Sequence, residues 1–241
     1  MLVLALDSST RAGSIALALD GHVLDSRVGD GAVRQAARLP GDLVDLLSAH
    51  GYMLRDVDLF AAAAGPGGFT GLRVGLATMQ GLAMALDRRV FVASTLDLLG
   101  VAARATAPDG AWIGAWMQGM RGEVFTALYR QSRDDFGVIP MVGPSVGTAE
   151  EGARAWAAAC GEATIAVIGD AWPGASAPLV ARFGERLRPC VAPPLAEVLA
   201  RLAFEHADLA VAPAAVRPAY VRRPDAVITR EQAGLPVTGD L

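Results

Sequence analysis

The sequence predicts an α/β fold built from two lobes of similar plan, and three stretches carry that reading. Leu59 to Leu86 reads as a buried strand, a glycine turn and a helix; Leu2 to Val28 reads as a three-stranded meander. Beyond a linker at Thr106-Ala107-Pro108-Asp109-Gly110, a strand, a polar turn and a returning strand come again, as at the start of the chain.

Leu2 to Leu6 is an apolar strand ending in Asp7-Ser8-Ser9-Thr10. Ser14 to Leu19 and His22 to Val28 follow as strands joined by Asp20-Gly21. Ala32 to His50 has helical spacing, with Ala36, Leu39, Leu43, Leu46 and Leu47 on one face, Val44 widening it, and Pro40 kinking it or setting the start of its regular part. The short run Leu59 to Ala64 suits a strand covered on both faces. Gly65-Pro66-Gly67-Gly68 then turns the chain, Thr70 is the expected cap, and Leu72, Leu76, Met79, Ala83 and Leu86 mark the next helix. A second stripe of that helix is small: Gly71, Gly75, Thr78 and Gly81. Glycine inside a helix costs about 1 kcal/mol relative to alanine, so such a stripe suits close approach of another backbone.

A strand at Val90 to Ala93 and a helix from about Leu96 to Ala105, capped by Ser94 or Thr95, complete the first half. In the second half the expected elements are strands at Trp112 to Met117 and Glu123 to Tyr129, with Gln118 to Gly122 as their turn. A helix at Ala149 to Ala159, a strand Thr164 to Ile168 ending in Gly169-Asp170, and a helix at Leu195 to Glu205 follow. Ala171 to Pro178 reads as loop, and the tail from Ala215 to Leu241 as partly disordered. The division expected is a first lobe of residues 1–106, completed by the helix from about 195 onward, and a smaller lobe of 107–194.

Composition excludes several chemistries. The chain has 241 residues, 53% hydrophobic and 19% charged, with a net charge of −4, which gives no basic footprint of an autonomous nucleic-acid binder. All 21 basic residues are arginine, so a P-loop, Schiff-base or kinase-type lysine is ruled out. Two cysteines thirty positions apart read as reduced thiols, and three scattered histidines give no metal-binding spacing. No apolar run reaches the ~18 residues of a membrane span, and MLVLALD is too short for a signal peptide, so a cytoplasmic protein is expected.

Two loops admit chemistry. The turn Gly65 to Gly68 precedes a helix N-terminus, where phosphate binds well, yet it has neither GxGxxG nor GK[ST], and a plain tight turn is the preferred reading. Asp7 with Ser8, Ser9 and Thr10 could hold a metal-bound water and a phosphate, or could simply be hairpin-turn residues.

The combination LALDSST with AGSIAL, GPGGFTGLRVGLATMQGLA, VASTLDLL, RGEVFTALY and RPAYVRR resembles the TsaB family, also called YeaZ, over most of the chain. The resemblance implies an actin-like fold of the sugar-kinase and Hsp70 type, with two RNase-H-like lobes. It also implies a role in bacterial synthesis of N6-threonylcarbamoyladenosine at position 37 of tRNA, as non-catalytic partner of the paralogue TsaD and of the ATPase TsaE. TsaD carries a HxxxH metal pair where this chain has Ser94-Thr95-Leu96-Asp97-Leu98-Leu99, which offers no histidine or cysteine. No metal, cofactor or catalytic residue is therefore expected, and Asp7, Ser8, Ser9 and Thr10 stand as a vestigial nucleotide loop. Two departures from the family pattern strengthen this: Gln118-Gly119-Met120 replaces the usual DAR, and the common early histidine is Arg34 or Gln35.

An α/β lobe buries one face of each helix on its sheet, and the leftover faces of Ala32–His50 and Gly71–Leu86 would form an apolar patch. Ala36, Leu39, Leu43, Leu47, Gly71, Val74, Gly75, Thr78, Met79 and Leu82 are the candidate partner-interface residues. They would dock on TsaD, or on a second copy of the chain as a homodimer, with tRNA met only through the complex and no membrane involved. A loop or the C-terminal tail could instead cover the patch. The alternative function is an actin-like small-molecule kinase or nucleotidase using Asp7 and the Ser8–Thr10 turn. It would need a second carboxylate from the other lobe, where Gln118 and Met120 stand. A protease is not supported by any Ser/His/Asp or metal constellation.

Overall fold

A computed structural model describes residues 1–32, 35–133, 136–172 and 174–221. Strands β1 (Leu2–Asp7), β2 (Ser14–Leu19), β3 (His22–Val28), β4 (Leu59–Ala63) and β5 (Arg89–Ala93) form one sheet in the order β3-β2-β1-β4-β5. The meander is antiparallel and β1, β4 and β5 run parallel. The second sheet contains β6 (Trp112–Gln118), β7 (Val124–Gln131), β8 (Val138–Gly147), β9 (Ile165–Ile168) and β10 (Leu187–Pro189), in the order β10-β9-β6-β7-β8. Its pairings repeat those of the first sheet, antiparallel for β6-β7-β8 and parallel for β6-β9-β10. The duplication read from the returning hairpin is thus a duplication of whole sheets.

Among the described residues six α-helices cover the sheets: α1 (Gln35–Ala49), α2 (Phe69–Ala85), α3 (Thr95–Arg104), α4 (Ala149–Cys160), α5 (Ala177–Phe183) and α6 (Leu195–Glu205). Period-two alternation sorts the first sheet's side chains. Leu2, Leu4 and Leu6 of β1 join Leu39, Leu43, Leu72, Leu76 and Met79 under α1 and α2. Val3 and Ala5 face the other way, toward Ala196, Leu199 and Ala203 of α6. That inner face is rich in alanine, from Ala16, Ala18, Ala61 and Ala63, and the inner cluster continues without a break into Ile113, Ala115 and Ala127 of the second sheet. On the far side, Trp116 and Trp156 meet edge to face, 5.0 Å apart, beneath α4 and α5.

The two middle helices exchange sheets. Helix α3, which follows the first sheet in sequence, packs on β6, β7, β8 and β9, whereas α6, which follows the second, packs across β1 to β4. The Tyr129 hydroxyl of β7 donates to Asp97 Oδ1 of α3 at 2.8 Å, and the Tyr129 ring lies against the Gly100 backbone, where a Cβ would sit 3.2 Å away.

Several expected boundaries differ. Thr70 does not cap α2: Gly68 occupies the N-cap position with no side-chain bond, and Thr70 is exposed within the first turn. Ser94 is the N-cap of α3, also without a side-chain cap bond. Strand β8 is not among the expected elements; it carries Pro140 and Pro144 and lies at the sheet edge, where proline is tolerated. Helix α5 lies at the end of the segment read as loop. The described part of the tail, up to Val221, packs on the first sheet and α2: Val211 exchanges hydrogen bonds of 2.9 Å with Val90, and Val216 is buried under α2. The remainder of the tail expectation, 222–241, lies outside the described residues, as does Arg34.

Burial pushes the Asp97 carboxyl above the usual carboxylate range, and the Tyr129 hydroxyl only partly opposes this. The unfolded chain therefore ionises first. The stability associated with this group is present at pH below its unfolded pKa of about 3.9 and is lost as pH rises through the higher folded value. Asp97→Asn keeps an acceptor for Tyr129 and removes the charge. In denaturant titrations its stability relative to the parent should shift in the variant's favour as pH is raised from about 3 to about 7. A difference independent of pH would contradict this.

Candidate functional site

The glycine turn is held by its own chain. Gly68 N–H donates to Ser9 O at 2.8 Å, and Thr95 N–H to Gly65 O at 2.7 Å. A Cβ on Gly67 would lie 2.4 Å from Ser9 O, one on Gly71 would lie 2.9 Å from Ser8 O, and one on Gly75 would lie 2.0 Å from Ser8 Oγ. Contacts below 3.0 Å are not tolerated by real Cβ atoms. The backbone approached by this stripe is therefore the β1–β2 turn. Gly68 N–H, at the N-cap of α2, is spent on Ser9, as the tight-turn reading of Gly65–Gly68 expects.

The expected partner-interface residues separate into two groups. Leu39, Leu43, Leu47, Gly75 and Met79 are buried under α1 and α2 and cannot present a surface. The reason is helical geometry: a spacing of three and four selects the face a helix turns to its own sheet before any other. Gly71, Val74, Thr78 and Leu82 are half-buried and Ala36 is exposed; the Thr78 hydroxyl donates back to Val74 O at 2.8 Å. The outward ridge consists of Ala36, Pro40 and Val44 on α1, with Ala77, Gly81 and Met84 on α2. Val44 is 45% and Met84 64% exposed. A Cβ on Gly81 would meet nothing within 4 Å.

The C-terminal segment covers the opposite flank of α2. Gln80 Nε2 donates to Pro213 O at 2.9 Å and Arg73 Nε to the Tyr220 hydroxyl at 2.7 Å, with the Arg73 guanidinium 3.9 Å above the Phe69 ring. The covering tail weighed from sequence is real on this flank, and its described residues, as far as Val221, leave Ala77, Gly81 and Met84 exposed.

A cleft of about 400 Å³ lies between the lobes. The β1–β2 turn lines it with Asp7 and Thr10 to Ser14, the second lobe with Met117 and Gly169-Asp170, and the approach to α6 with Ala192 to Leu195; Val28 and Leu99 complete it. Asp7 is 2% exposed, and its Oδ1 accepts from Ser9 N–H at 2.9 Å and from Ser9 Oγ at 2.5 Å. Burial raises its carboxyl above the usual range; Ser9 opposes this, and the charge of Asp170 adds to it. Asp170 Oδ1 in turn accepts from Gln118 N–H at 2.8 Å. Sequence reasoning missed Asp170 and placed Gln118 and Met120 where a second carboxylate was needed. The signal was available, since Asp7 and Gly169-Asp170 both follow directly on apolar strands, β1 and β9. Ser8 faces elsewhere and meets Gly75, whereas Thr10 lines the cleft with its Oγ1 accepting from Gly13 N–H at 3.1 Å. Among the described residues no group of three His, Cys, Asp or Glu side chains could hold a metal ion, and no helix is long and apolar enough to cross a membrane.

Two equivalent five-stranded sheets, with helices outside, helices between and a cleft at the strand ends, define a two-lobed protein of the actin-like α/β class. The profile of the TsaD family, tRNA N6-adenosine threonylcarbamoyltransferase, matches residues 34–140. YeaZ from Pseudomonas aeruginosa superposes with a TM-score of 0.72 at 29% identity, covering 91% of this chain and 99% of that one. The tRNA threonylcarbamoyladenosine biosynthesis protein TsaB of Escherichia coli is 32% identical over 145 residues, and the match spans 57% of this chain and 58% of that protein's length. An uncharacterised protein of Mycobacterium bovis is 31% identical over 93% of both chains. The chain belongs to the TsaB (YeaZ) family.

The glycines of α2 differ in what a side chain would meet. Gly75→Ala should lower stability by about 1–3 kcal/mol through overpacking on Ser8. Gly81→Ala, in open space, should raise it by up to about 1 kcal/mol. Urea titrations of the two variants check this, and equal effects would contradict the placement of the stripe.

Proposed function

We propose that this chain is a non-catalytic subunit in the synthesis of N6-threonylcarbamoyladenosine on tRNA, and that it acts by docking TsaD. The observation that carries the reading is the ridge of Ala36, Pro40, Val44, Ala77, Gly81 and Met84, an apolar and small-residue surface on a pair of helices that none of the described residues covers. These helices lie in the part of the sequence that matches the TsaD family, so the two proteins would present the same structural element to each other. A four-helix contact of that kind is close to self-complementary, and in the absence of TsaD two copies of this chain would use it as an isologous homodimer. TsaE joins the resulting complex, and tRNA is met through it, in keeping with a net charge of −4. The family name of the relatives and the absence of lysine support a scaffold role in the cytoplasm.

A second reading, an actin-like kinase or nucleotidase, draws on Asp7 and Asp170 meeting in one cleft. Phosphate release by the purified chain that disappears on Asp7→Ala would favour it over the scaffold.

Gly81→Arg and Ala77→Arg place a long charged side chain on the ridge without touching the core. Each should weaken co-purification with TsaD at least about tenfold, convert the homodimer to monomer by light scattering, and remove threonylcarbamoyladenosine from tRNA by mass spectrometry. Retained binding to TsaD by both folded variants would place the partner surface elsewhere.

A further inference from the structure

We propose that the cleft between the lobes is a binding site for an organic cation, a protonated aliphatic amine or guanidinium with a hydrocarbon body. This goes beyond the docking role and is independent of it. Two carboxylates, one from each lobe, enter the same cleft, and each has one oxygen engaged and one without a partner. Asp7 Oδ1 takes both Ser9 donors and Asp170 Oδ1 takes Gln118 N–H, whereas neither Oδ2 accepts a hydrogen bond from any described residue. Asp7 is 2% exposed, and a carboxylate so deeply placed is costly unless a cation or further donors meet it.

Two carboxylates facing one cleft disfavour an anion there. Of the turn N–H groups that could meet a phosphate, four are spent within the chain. Ser9 N–H goes to Asp7, Gly13 N–H to Thr10 Oγ1, Gln118 N–H to Asp170 and Gly119 N–H to Glu123 O. Arg11, the basic side chain on the lining among the described residues, is directed by its Nε to Gly31 O at 3.0 Å.

The walls fix the rest of the ligand's chemistry. Val28, Leu99, Met117, Pro193 and Pro194 give the cleft a mostly apolar surface. Acid at the floor with hydrocarbon along the sides matches an ammonium or guanidinium head on an alkyl chain, the shape in which lysine and arginine side chains bury their stems. A free amine and a basic side chain offered by a partner protein share this chemistry.

Isothermal titration of the full chain with agmatine and with n-butylamine to n-hexylamine tests the site. One-to-one saturable binding is expected, tightening about fourfold per added methylene. Asp170→Asn should weaken binding at least about tenfold, and so should Asp7→Asn, whose amide oxygen can still accept from Ser9. Asp170 is exposed, so its variant keeps the test valid if Asp7→Asn does not fold. Displacement of agmatine by added TsaD would identify the natural head group as a partner's side chain; agmatine retained in the complex would identify a free amine. No saturable binding below ~10 mM, affinity unchanged in Asp170→Asn, or saturation by inorganic phosphate or Mg-ATP in place of the amines would overturn the proposal.

Discussion

The contact between the N-terminal half of α2 and the β1–β2 turn sets the positions of nearly everything that matters in this protein. Gly67, Gly71 and Gly75 put bare backbone against Ser8 and Ser9 at distances no Cβ would permit. Glycines in a helix cost about 1 kcal/mol each, so the close packing must return more than that for the sequence to keep them. It does so by burying Leu72, Leu76 and Met79 deeply against the sheet. Gln35 of α1 closes the same junction: its Nε2 donates to Thr10 O at 2.8 Å and its Oε1 lies where a Cβ on Gly71 would be. Turn, α1 and α2 form one unit, and the ridge that faces outward is what remains of the helices once that unit is packed.

The sequence made the first sheet almost fully legible. Strong apolar runs bounded by Asp-Gly and glycine turns identify β1 to β3 nearly residue by residue, and β4, β5 and α6 follow from equally clear signals. The second lobe was harder because its signals compete. Strand β8 carries two prolines and faces solvent on most of its length, so nothing in its local pattern distinguishes it from loop. Helix α5 is seven residues long, below the length at which helical periodicity can be read. The partner surface shows a different limit. Leu39, Leu43, Leu47 and Met79 stood out because they are apolar at helical spacing, which is the signature of the core face. The outward ridge is made of alanine, glycine, proline and single larger residues, and its exposure could only be known once the sheet side was fixed. Asp170 was missed for a related reason: attention went to the hairpin after β6, the sequence counterpart of the Asp7 turn, whereas the carboxylate arrives from the end of β9.

The exchange of α3 and α6 gives the chain a property its two-lobe plan does not suggest. Lobes joined by a small polar interface move relative to one another by default. Here one apolar cluster runs from the alanines of β1, β2 and β4 through α6 and α3 into β6 and β7, and the Asp97–Tyr129 bond ties α3 to β7 inside it. Opening the lobes would expose that cluster and break the bond. A continuous core between the sheets makes such an opening costly.

Consecutive residues of the β1–β2 turn also connect the surface to the cleft. Ser8 faces α2, with its hydroxyl against Gly75; Ser9 faces Asp7 with its amide and hydroxyl, and its carbonyl receives Gly68 N–H. Ser8 therefore meets α2 while the next residue, Ser9, holds Asp7 Oδ1, so the helix and the acidic group of the cleft are served by adjacent residues of one turn. This connection follows from the absence of side chains on α2 at Gly71 and Gly75: with larger residues there, the helix would stand off from the turn and the two features would be independent.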